Sequence, residues 1–111
     1  MLVGTYPSMQ TKLPKFEFHK DENFLVEYQL YGEHVILHCT VEHFKLSVLK
    51  KMYEVFATMK KEFGEIGFKY MTTITPNVKF CELFNGEADE HTKMIYENKE
   101  YEVVRWVLKP Q

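Results

Sequence analysis

At 111 residues with 45% hydrophobic content, the chain is sized for one domain with a real core, and no stretch approaches the roughly 20 apolar residues that a bilayer span requires. Its formal charge of −2 comes from 14 Lys and Arg interspersed with 16 Asp and Glu, which excludes a basic face for general nucleic-acid binding. Residues 1 to 7 carry no basic leader and no long apolar run, so the expectation is a cytoplasmic protein without a secretory signal.

In chain order, residues 1 to 14 contain Gly4, Pro7, Ser8 and Pro14 and keep no period, which reads as an arm that packs through Leu2, Val3, Tyr6 and Leu13. A single domain is expected over 15 to 111. Lys15 to Lys20 alternates apolar and polar residues, Asp21-Glu22-Asn23 supplies turn chemistry, and Phe24 to Leu30 is a second strand. After the break at Tyr31-Gly32-Glu33, His34 to Val41 is a third, and connections this short make the three an antiparallel meander.

From Phe44 to about Phe63 the period becomes helical. Leu49, Met52, Phe56, Met59 and Phe63 form a stripe for covering a sheet, while Lys45, Lys50, Lys51, Glu54, Lys60, Lys61 and Glu62 leave a solvated face. Gly64 and Gly67 turn the chain back into a strand over Tyr70 to Thr75, which Pro76 ends. Asn77 to Phe84 has apolar residues at 80, 83 and 84, the spacing of a two-turn helix, and Asn85-Gly86 tolerates a left-handed C-cap. Glu87-Ala88-Asp89-Glu90 reads as an acidic connector. Lys93 to Tyr96 and Tyr101 to Leu108 then flank Glu97 to Glu100 as a closing hairpin, and Phe56 and Trp106 are expected in the core. The fold class is α/β (α+β), mostly antiparallel, in the order β-β-β-α-β-α-β-β.

Chemistry-bearing residues are sparse. Cys39 on a predicted strand and Cys81 on a predicted helix form no closely spaced pair and read as reduced, buried thiols. His34, His38, Cys39 and His43 crowd ten residues, but a strand over 34 to 41 sets His34 and His38 on one face about 13 Å apart and turns Cys39 to the other. No shared metal ion is therefore expected. Neither a nucleophile elbow nor a phosphate-cradling glycine loop occurs.

The element order, together with Thr75-Pro76-Asn77-Val78-Lys79-Phe80-Cys81-Glu82-Leu83-Phe84-Asn85-Gly86, resembles the C-terminal two-thirds of the GNAT acetyltransferase superfamily and its N-x-x-A-x-x-L-Y segment, and small phage-encoded GNAT-like proteins have similar tails. The resemblance covers about residues 15 to 108. It implies that Asn77 opens the helix near the coenzyme A arm and that Phe84 stands where many members place a tyrosine general acid, a role a phenyl ring cannot fill. The pyrophosphate loop of the family falls on Glu42-His43-Phe44-Lys45-Leu46-Ser47, which has no glycine and carries bulky side chains. The opening strand and two helices of the family have little room in residues 1 to 14.

The functional expectation is thus a non-catalytic GNAT-like protein, without a cofactor, that binds a protein partner, for instance as a phage-encoded inhibitor of a host protein. Its partner surface is expected to combine the polar helix face with Glu87, Asp89 and Glu90, with Tyr31 as anchor and with Phe44, Leu46 and Phe84 filling the ancestral cleft. Two alternatives stand beside it. One is a divergent N-acetyltransferase that holds acetyl-coenzyme A through Asn77, Lys79 and Lys45, with His43 or Glu42 as base. The other is a phage-particle component or homo-oligomer joined through a strand edge.

Overall fold

The computed structural model describes residues 13–108. The elements run β1 (Phe16–Lys20), β2 (Phe24–Tyr31), β3 (His34–Val41), α1 (Leu46–Glu65), β4 (Tyr70–Thr75), α2 (Val78–Glu82), β5 (Glu87–Tyr96) and β6 (Lys99–Val107). The strands form one six-stranded sheet in the order β1-β2-β3-β4-β6-β5. Every neighbouring pair is antiparallel except β3 and β4, which α1 joins as a crossover and which run parallel. The fold is α+β, with a mostly antiparallel sheet and two helices.

Local chemistry accounts for the connections. The Asp21 carboxylate accepts the Asn23 and Phe24 amides at 2.7 and 3.0 Å and closes the β1–β2 turn, with His19 Nε2 2.6 Å from its other oxygen. Burial raises the Asp21 pKa, but the hydrogen bonds from His19 and the two amides outweigh it and lower the value overall. The β2–β3 turn needs Gly32 at φ +58°, and the β5–β6 turn places Glu97 and Asn98 at φ 49° and 64°, the two left-handed residues of a type I′ hairpin. That hairpin is therefore tighter than the four-residue interval expected from the sequence.

The expected helix stripe is the core. Val48, Met52, Val55, Phe56, Met59 and Phe63 of α1 are buried against Phe24 and Val26 of β2, Val35, Leu37, Cys39 and Val41 of β3, and Met71, Val104 and Trp106. The helix begins at Leu46, two residues later than the sequence period indicated, which leaves Phe44 outside it. α2 lies on the same side of the sheet: Phe84 contacts the rings of Tyr53, Phe56 and Phe80, and the Trp106 indole N–H donates to the Phe84 carbonyl at 2.7 Å. At the exit of α2 the left-handed residue is Asn85, φ 67°. Gly86 serves a different need, because a Cβ there would stand 2.5 Å from Val104 Cγ1 and 2.9 Å from the Trp106 ring.

Cys39 and Cys81 are free and buried, as expected, and burial pushes both thiols up to about 12. The packing proposed for Leu2, Val3 and Tyr6 lies outside the described residues. Leu13 is half-buried, and its carbonyl accepts the Gln29 side-chain amide at 2.8 Å.

Candidate functional site

With both helices on one side, the other side of the sheet carries no helix among the described residues. Strand register identifies what lines it. One row across the strands reads Tyr31, His34, Tyr70, Val107; the next reads Gln29, Ile36, Thr72, Arg105, Glu87; a third contains Ile74, Val103 and Asp89. Tyr31, Glu87 and Asp89, chosen separately from the sequence, therefore share this open face, spread over four strand spacings or about 19 Å.

One expectation about these residues needs correction. Residues 87 to 90 are not a loop connector but the first part of the edge strand β5, where carboxylates keep an exposed edge from pairing with other strands. The polar side of α1 reaches this segment at one place, where Lys60 lines a cavity of about 380 Å³ with Asn85, Glu87, Arg105, Trp106 and Val107. Glu90 belongs to β5, and its side chain lies outside the described residues. Tyr31 ends β2 and is 63% exposed.

The open face has a concavity of about 230 Å³ lined by Tyr31, His34, Ile36, Thr72, Thr73, Ile74 and Val103. Its origin is a split in the sheet. The β3–β4 ladder pairs only His34 with Tyr70, Val35 with Met71 and Ile36 with Thr72, after which the strands part. Beyond that point the Thr73 hydroxyl donates to the Leu37 carbonyl at 2.9 Å, replacing a ladder bond on the core side. Beside the concavity, His34 stacks on Tyr70 at 5.0 Å and its Nδ1 lies 3.0 Å from the Thr72 hydroxyl, while the Arg105 guanidinium stands 5.2 Å from the centre of the Tyr70 ring. The strand order puts His34 and Arg105 on opposite flanks of Tyr70.

His38, on the same face, is buried together with Gln29. The Gln29 amide nitrogen donates to Leu13, so its oxygen is the acceptor facing His38 Nε2 at 2.7 Å, and His38 carries its proton there. Its Nδ1 is then a buried acceptor without a hydrogen-bond donor. Desolvation, with the Lys15 charge adding to it, lowers the imidazole to about 4. Cys39 turns to the core side, as the alternation required, and among the described residues no group of His, Cys, Asp and Glu converges on a metal-sized site.

The other sequence candidates fall elsewhere. Asn77 and Lys79 line a cavity of about 450 Å³ with Pro76, Val78, Phe80, Glu100 and Glu102. Lys93 reaches Glu100 and Glu102 at 3.6 and 3.8 Å, so two lysines face two carboxylates and the cavity offers a polyphosphate little net attraction. In the β3–α1 connection the Glu42 and His43 amides already donate to the Asn23 carbonyl at 2.7 and 3.2 Å. Lys45 occupies the N-cap position of α1 without a side-chain cap. Of Phe44, Leu46 and Phe84, the three residues expected to fill a cleft, Phe84 alone is buried; Phe44 packs on the Phe80 ring yet stays 50% exposed, and Leu46 is 83% exposed.

Sequence reading missed Thr72, Ile74, Val103 and Arg105. Their alternation marks strand faces, but only the insertion of β6 between β4 and β5 brings them beside His34 and Tyr31. No described helix is long and apolar enough to cross a membrane. Comparison with protein-family models, curated proteins and solved structures gave no match to this chain.

Proposed function

We propose that this chain is a non-catalytic binding protein that engages a protein partner through the open face of its sheet. The observation that carries the reading is the concavity beneath exposed Tyr31, on a sheet face that no described helix covers, with Glu87 and Asp89 on the same face. Aromatic anchors beside an apolar hollow, with charge further out, are how protein interfaces concentrate affinity and steer encounter. A scaffold of GNAT type, from which the chemistry has gone, agrees with the element order and with amides of the 42 to 47 segment being committed to Asn23. A phage-encoded inhibitor of a host protein is one setting for such a module.

The test pairs capture of partners from the native host with a calorimetric titration of acetyl-coenzyme A. The expected result is one partner that the parent recovers and that Tyr31→Ala loses, with Glu87→Ala/Asp89→Ala slowing association and weakening its salt dependence, and no tight coenzyme binding. Micromolar acetyl-coenzyme A affinity abolished by Lys79→Ala would instead support the acetyltransferase reading. Full retention of the partner by Tyr31→Ala would remove the open face from consideration.

A further inference from the structure

We infer that the hollow under Tyr31 receives the C-terminal residue of a partner chain, an apolar side chain whose own carboxylate is held by Arg105. The inference rests on the open-face reading above and names the chemistry that face would recognise. Four observations converge on it.

The first is size. At about 230 Å³ the hollow is smaller than the roughly 300 to 1,000 Å³ of ordinary small-molecule pockets and suits a single side chain. The second is lining. Ile36, Ile74 and Val103 supply apolar walls, and polar atoms come from Tyr31, His34 and Thr72 at one end, so an apolar group enters with its polar end toward that side.

The third is charge. Arg105 is the cross-strand neighbour of Thr72, on the same face and two residues along β6 from Val103, both of which line the hollow. Among the described residues its side chain makes no ion pair or hydrogen bond, and its contact is the Tyr70 ring. A guanidinium held over a ring by a cation–π contact keeps its N–H donors for other partners, and that fork of donors can bind a carboxylate in two-pronged fashion. Glu87 stands across from it on β5 and lines a second cavity with it and Lys60 but forms no ion pair with it, so among the described residues no carboxylate occupies the anion site. The fourth is the approach. Tyr31 and Val107, 63% and 64% exposed, stand at the two ends of the row beside the hollow with the stacked His34 and Tyr70 rings between them, where the residues preceding a terminus would lie. A C-terminal residue is the simplest group that places a carboxylate one residue's reach from a buried apolar side chain.

The experiment titrates the full 111-residue chain, methyl-labelled at Ile and Val, with acetylated hexapeptides ending in leucine as the free acid, in leucine as the amide, and in lysine as the free acid. Saturable shifts at Ile36, Ile74 and Val103 methyls are expected with the leucine acid, with the amide and the lysine peptide at least tenfold weaker. Arg105→Gln, a surface change, should bring acid and amide within twofold of each other while the amide still binds. Equal affinity of acid and amide, an unchanged ratio in Arg105→Gln, or unmoved methyls at millimolar leucine acid would each overturn the inference. Tighter binding of the lysine peptide would overturn it in favour of a basic partner, and a dimer dispersed by Val107→Glu would give the face to a second copy. If the peptides fail while Tyr31→Ala still loses the captured partner, the open-face reading stands without this inference; if Tyr31→Ala retains the partner, the reading itself has failed.

Discussion

On the helix-covered side of the sheet the buried side chains pack into one cluster, and even the polar groups are matched: Trp106 finds the Phe84 carbonyl, and the Thr73 hydroxyl finds Leu37. On the open side the matching is incomplete. His38 is buried with a bare Nδ1, Arg105 has a ring beneath it but no anion among the described residues, and a hollow remains where β3 and β4 part. A folded chain that has satisfied one face and left the other with unmatched polar groups has its stability on the first and its capacity for binding on the second. Substitutions on the two sides should therefore differ in kind.

The largest effect should come from Trp106→Ala. The indole is 4% exposed, and its removal leaves a cavity and an unsatisfied Phe84 carbonyl together, so a loss of about 3 to 5 kcal/mol is expected in denaturant melts. Phe56→Ala should fall in the same range, since its ring meets Phe84 at 4.7 Å. A loss below about 1 kcal/mol for either would show that the core is not organised around this cluster.

Next comes the pH dependence that His38 brings from the open side. Its folded pKa of about 4 lies below the ordinary 6.5, so between those values the unfolded chain binds the proton more tightly. The stability owed to neutral His38 is complete above about pH 6.5 and is lost as pH falls toward 4, a change of up to about 3 kcal/mol. Urea melts at pH 7 and pH 4.5 should show a smaller difference for His38→Gln than for the parent. Equal pH dependence in the two proteins would mean that His38 titrates normally.

Gly86→Ala is expected to cost about 1 to 3 kcal/mol, because the added methyl overlaps Val104 and the Trp106 ring. A neutral result in the same melts would require the Trp106 ring to move aside.

How much of this was legible depended on which forces are local. Strand alternation and the Met and Phe period of α1 are written in consecutive residues, and they gave the elements and the core directly. The acidic stretch at 87 to 90 was misread because carboxylates oppose strand propensity; an edge strand tolerates them, and being an edge is a property of the whole sheet. The same holds for the hollow, whose walls come from β2, β3, β4 and β6 and exist only because β6 lies between β4 and β5. Tyr31 was identifiable from its neighbour Gly32, whereas Arg105 gained its place only by register against Thr72.

The smallest expected change in stability is also the one that separates the two faces most sharply. Tyr31 is more than half exposed and caps the hollow without sealing it, so Tyr31→Ala gives up little burial and should alter stability by no more than about 0.5 kcal/mol. Trp106, directly through the sheet from the row of residues beside Tyr31, loses several times as much on the same change of an aromatic to alanine. If the ring instead lies down on Ile36 and Ile74 in solution, Tyr31→Ala will cost about 1.5 kcal/mol or more. Melts on the purified variant distinguish these cases before any partner is in hand, and a stable Tyr31→Ala protein is the form in which loss of binding can be attributed to the open face rather than to unfolding.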